Sequence, residues 1–107
     1  MIEVVIQFSP AIWPSERHTR FEGPLSRILQ RAKLGTIFGS GTRGTPSKPE
    51  SWSLIHLRLT DKGLHNLIKI LRYLQFPKST SIHTCSTGGR NKVWHENVWP
   101  LHSKEIR

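Results

Sequence analysis

Residues 52–77, WSLIHLRLTDKGLHNLIKILRYLQFP, admit one local reading: strand, cap, helix, stop. Ser53, Ile55, Leu57 and Leu59 fall on one side of an alternating run, and Trp52, Leu54, His56 and Arg58 on the other. That is the period-two pattern of a half-buried strand. Thr60 and Asp61 then offer side-chain oxygens to a helix start. Beyond them Leu64, Leu67, Ile68, Leu71 and Leu74 recur at steps of three and four and form one apolar stripe, while Lys62, Asn66, Lys69 and Arg72 lie on other faces. Pro77 closes the helix.

The rest of the chain is arranged around this unit. Ile2, Val4, Ile6 and Phe8 alternate with Glu3, Val5 and Gln7, which predicts a first strand ended by Ser9 and Pro10. Residues 11–20 carry two further breaks in pattern, Pro14 and a basic cluster of Arg17, His18 and Arg20, and read as an irregular exposed connection. Pro24 suits a helix start, Leu25, Ile28, Leu29 and Ala32 make the stripe, and Gly35 ends it. Arg27, Arg31 and Lys33 give that helix a basic outer surface. Residues 36–38 predict a short strand, and Gly39, Gly41 and Gly44 punctuate a long turn before the strand at 52–59. Residues 80–86 alternate as a fourth strand, residues 88–91 mark a tight turn, and residues 92–99 read as a short fifth strand before a frayed end at 101–107.

Strand, helix, strand, strand, helix, strand, plus one strand more, predicts a single α+β domain over residues 1–107. The expected form is a ferredoxin-like split βαβ sandwich: an antiparallel sheet, two helices on one face, and an extra C-terminal strand. Right-handed crossovers put both helices against the face built from Ile2, Val4, Ile6, Ile55, Leu57 and Leu59. The other face then carries Val5, Gln7, Trp52, Leu54, His56, Arg58, His83 and Cys85.

Charge speaks to partners. Sixteen Lys and Arg against seven Asp and Glu leave a formal net charge of +9, which favours an acidic surface or nucleic acid. The opening MIEVVIQF has no basic n-region and no long apolar core, and no run reaches the ~20 apolar residues of a membrane span, so a soluble protein without membrane contact is expected. The single cysteine, Cys85, rules out an internal disulfide framework and suits a reducing cytoplasm.

Five features bear on chemistry. The open face, with Trp52, His56, Arg58 and His83, has the composition of base-stacking platforms, yet SWSLIHLRL lacks the Lys/Arg-Gly-aromatic signature of RNA-recognition modules. His56 and His83 with Arg58 are the residue types of metal-free RNA cleavage, which needs both imidazoles about one phosphate. Alternation permits that geometry without requiring it, so no catalytic residue is assigned. His83, Cys85 and His95 match neither paired CxxC spacing nor HExxH, and no metal or cofactor is predicted. The GSGTRG loop at 39–44 lacks the GK[ST] of a phosphate loop and leads into a strand, although its amides and Arg43 suit an anion. Four tryptophans, at 13, 52, 94 and 99, exceed the needs of a small core, so at least one should be exposed.

From the short strand running into a GxGT turn, through the strand, the L..LI.IL..L helix and the closing P..T.I, residues 34–82 resemble small bacterial immunity proteins of contact-dependent growth inhibition and polymorphic toxin systems. The resemblance implies a cytoplasmic binder with no activity of its own, which neutralises a cognate toxin domain. Immunity proteins against basic nuclease toxins are acidic, so the charge here implies a toxin domain with an acidic face. The partner-binding residues expected are Arg43, Trp52, His56, Arg58 and His83. A basic RNA-binding or RNA-cleaving domain using the same face is the alternative.

Overall fold

The computed structural model describes residues 2–85 and 94–99. In chain order it has β1 (Ile2–Phe8), a helical turn α1 (Pro14–Arg17), a π-helical turn (His18–Glu22), α2 (Gly23–Arg31), β2 (Gly35–Arg43), β3 (Trp52–Leu59), α3 (Asp61–Tyr73), β4 (Ser81–Cys85) and β5 (Trp94–Asn97). The strands form one five-stranded sheet in the order β2-β3-β1-β4-β5, with every neighbouring pair antiparallel. This is an α+β architecture. No helix among the described residues is long and apolar enough to cross a membrane.

Alternation decides which sheet face is covered. Val4 pairs with Leu57 and Ile6 with Ile55, so their side chains share one face. Leu25 and Leu29 of α2 and Leu67 and Leu71 of α3 join them and Ile82 in a single buried cluster, which places both helices on that face. Each fully buried Leu, Ile or Phe stabilises the fold by roughly 1.5–3 kcal/mol. At one end of the core Phe8, Phe21 and Phe76 pack as a trio, with ring centroids 4.5–6.1 Å apart and Phe8 edge-on to both neighbours.

The β3–α3 unit takes the form its pattern predicts. Thr60 Oγ1 accepts a 2.9 Å hydrogen bond from the Gly63 amide and caps α3, and Asp61 lies in the first turn. The same hydroxyl donates to the Leu34 carbonyl at 3.2 Å, so the cap also ties α3 to the turn that follows α2. Both helices end before the predicted stops. Lys33 and Gln75 take left-handed φ of 56° and 61°, and the amides that follow them, of Leu34 and Phe76, bond back to the carbonyls of Leu29 and Leu71. Each end buries an apolar pair, Leu34 with Leu29 and Phe76 with Leu71.

Two expectations are corrected. Residues 11–20 are mostly exposed, as expected, but they are not irregular: the chain is helical from Pro14, whose fixed φ suits a first helical position, and Arg17 is buried at 5% exposure. The GSGTRG segment is not a turn. It continues β2 as far as Arg43, and the connection to β3 falls at residues 44–51. Its glycines signal a turn locally, but the ladder to β3 supplies partners for the backbone and prevails. The predicted turn at 88–91 and the tail at 101–107 lie outside the described residues.

Candidate functional site

The uncovered face of the sheet is built by the partners of the core residues. Across it run three rows set by register: Arg58 beside Glu3, then His56 beside Val5 and His83, then Leu54 beside Gln7 and Ser81. Trp52 and Arg43 pair at the far end. Trp52 and Arg58 are six residues apart on β3, so the face is about 20 Å long between them.

A β-bulge decides what the edge strand contributes. Ile37 pairs with Leu57 on the core side, but Gly39 already pairs with His56, so Phe38 is an inserted residue. After it the alternation of β2 is shifted by one. Ser40 and Thr42 then oppose Ile55 and Ser53 on the helical side, and Arg43 opposes Trp52 on the open side. Without the bulge Arg43 would face the helices.

The shift is matched by Arg17, which comes from α1. Its Nε donates to Glu22 Oε2 at 2.6 Å, one terminal nitrogen donates to the Gly41 carbonyl at 3.1 Å and Thr42 Oγ1 at 2.8 Å, and the other reaches Ser40 Oγ at 3.4 Å. A buried guanidinium is costly unless its charge and donors are matched. Here one side chain matches them and fixes the shifted half of β2 against the helical layer.

Two basic–aromatic pairs result, one at each end of β3. At the first, the Arg58 guanidinium lies 4.4 Å over the Phe38 ring, the His56 ring meets Phe38 edge-on at 5.8 Å, and Glu3 Oε2 is 3.7 Å from Arg58 Nε. Phe38 is 45% exposed, which is unusual for a phenylalanine held in a strand. At the second, Arg43, Trp52, Leu54 and Gln7 line a recess of about 270 Å³. Between them lie the aliphatic side chains of Val5 and Leu54, both half-buried.

Trp52, His56, Arg58 and His83 thus stand on the open face, as alternation predicts, and Arg43 joins them through the bulge. His56 and His83 are separated by Val5 on β1, so their backbones lie two strand spacings, roughly 10 Å, apart. Phe38 and Glu3 are members of this surface that the sequence reading did not include. Their signal was available: residue 38 shares parity with Thr36, which pairs with Arg58, and Glu3 lies between Ile2 and Val4 on the polar side of β1. Trp13 is exposed, whereas Trp99 donates its indole N–H to the Phe76 carbonyl at 2.9 Å under the Lys78 ammonium. Among the described residues no group of three His, Cys, Asp or Glu is gathered as a metal site requires.

No family model matches this chain, and neither a curated protein nor a solved structure matches it.

Proposed function

We propose that this chain is a cytoplasmic immunity protein, a binding domain that neutralises a cognate bacterial toxin domain by docking its open sheet face on an acidic surface of that domain. The observation that carries the binding reading is the pair of basic–aromatic clusters, Arg58 with the exposed Phe38 and the exposed Arg43 with the half-buried Trp52, at the two ends of a partly apolar strip. Arg and aromatic side chains around an aliphatic centre are the composition of protein interface hot spots. We further read the order β2-β3-β1-β4 as the ferredoxin-like split βαβ arrangement, with β5 added at the edge.

Val5 and Leu54 at the middle of the face favour a protein over a nucleic acid, because aliphatic side chains pack with aliphatic side chains and give bases nothing to stack on. The net charge of +9 and the exposed Phe38 ring support the second reading, a basic RNA-binding surface. One comparison separates them. The purified chain is titrated by calorimetry with the toxin domain encoded beside it, and with single-stranded RNA at low and high salt. A stoichiometric complex with the toxin domain, lost on Arg58→Ala and accompanied by protection of cells, supports the immunity reading. Failure to protect refutes it. RNA binding that weakens steeply with salt would install the alternative.

A further inference from the structure

On the helical layer, across the molecule from the sheet face, lies a second concave surface. Pro24, Ile28 and Ala32, which follow one another at steps of four along α2 and its C-cap, form with Leu74 the floor of an open groove of about 440 Å³. Arg27 and Arg31, also four apart, line the same groove and are exposed. Among the described residues neither arginine takes part in an ion pair, in contrast to Arg17, Arg20 and Arg58. An aliphatic floor thus runs beside two uncompensated charges one helical turn apart.

We infer that this groove docks a short acidic amphipathic helix of another protein. Such a helix lays an apolar side chain along Ile28 and Leu74 and sets two carboxylates, themselves one turn apart, on Arg27 and Arg31. The match is geometric, since residues four apart on any α-helix stand about 6 Å from each other on one face. It is also chemical. A phosphate backbone would meet the arginines but gain nothing from the aliphatic floor, whereas an amphipathic helix uses both. A second copy of the chain is disfavoured by its own charge of +9, and residues 100–107 carry Lys104 and Arg107 against Glu105 alone. The groove is separate from the open sheet face, so this site and the proposed toxin contact stand or fall independently.

The test uses the full chain and a labelled synthetic 16-residue helical peptide with a leucine stripe flanked by glutamates, compared with a scrambled peptide of the same composition. Fluorescence anisotropy should give a dissociation constant on the order of 10 µM for the amphipathic peptide. Arg27→Glu/Arg31→Glu should weaken it at least about tenfold. If charge reversal disturbs the helix, as circular dichroism would reveal, Arg27→Gln/Arg31→Gln replaces it with the same expected direction. Amide resonances of residues 25–32 and 74 should shift, and those of His56 and Arg58 should not. Equal binding of the scrambled peptide, insensitivity of binding to the arginine variants, or shifts confined to the sheet face would overturn the proposal. So would an oligonucleotide that moves the same groove resonances as strongly as the peptide.

Discussion

The Arg58 guanidinium lies 4.4 Å above the Phe38 ring while Glu3 reaches its Nε from the other neighbouring strand at 3.7 Å. Arg58 is therefore held by an edge strand on one side and the central strand on the other, at an exposed surface where neither contact is strong. A cation–π contact there is worth about 0.5–1 kcal/mol and a surface ion pair at that distance adds little. The pair contributes little to the fold, which suits the partner contact proposed for it.

Arg58→Ala and Phe38→Ala should each lower unfolding free energy by less than about 1 kcal/mol, measured by urea denaturation. The same substitutions should weaken the proposed toxin-domain complex by roughly 30-fold or more, because hot-spot truncations cost about 2 kcal/mol or more. A stability loss as large as the binding loss would show that the pair is structural.

Arg17 has the opposite character, buried and engaged with Glu22 and the shifted half of β2. Arg17→Met leaves the Glu22 carboxylate without its 2.6 Å partner and should cost about 3–5 kcal/mol. Arg17→Met/Glu22→Gln removes the stranded charge as well and should recover part of that loss. A double variant no more stable than the single one would mean that the contacts to Gly41 and Thr42, and not the ion pair, carry the cost.

How much of this was readable in advance follows from the range of the forces involved. The β3–α3 unit and β1 were legible because period, cap and stripe are local properties, and so were Trp52, His56, Arg58 and His83 on the uncovered face. β2 was not legible as a strand beyond residue 38, since three glycines in GSGTRG signal a turn and only the ladder to a strand eight residues further on overrides them. Arg43 was named as a binding residue in a loop and occupies instead the last position of that strand, on the open face only because of the bulge at Phe38. The burial of Arg17 had no signal in a segment that holds a proline and a cluster of basic residues. Apart from Glu22, its partners come from residues 23 to 25 positions away in β2.

The helix ends offer a stabilising change. Lys33 and Gln75 occupy left-handed backbone that glycine adopts without strain, and no hydrogen bond of either side chain secures the position among the described residues. Lys33→Gly and Gln75→Gly should each raise stability by up to about 1 kcal/mol, read as a shift in the denaturation midpoint at unchanged slope. The two sites lie on different helices, so their effects should add. Loss of stability in either variant would show that glycine's extra freedom in the unfolded chain outweighs the relief at the cap.

Gly63 is the reverse case, a glycine in a helix whose replacement by the best helix former should be harmful. Ala at an ordinary helical position gains about 1 kcal/mol over Gly. At position 63 a Cβ would stand 2.4 Å from the Leu34 carbonyl oxygen, the same oxygen that accepts from the Thr60 amide and hydroxyl. That oxygen is backbone and cannot swing aside. Relief requires the first turn of α3 to move away from the turn after α2, which breaks the Thr60 contacts and loosens Leu34 and Leu67 in the core. Overpacking of this kind costs about 1–3 kcal/mol, which offsets or exceeds the helical gain. Gly63→Ala should therefore destabilise the protein by up to about 2 kcal/mol net. Amide exchange should rise first at Gly63 and Leu64, the amides that bond to Thr60. A stabilised Gly63→Ala variant would mean that α3 can shift without cost, and that the close approach to Leu34 does not hold the two helical ends together.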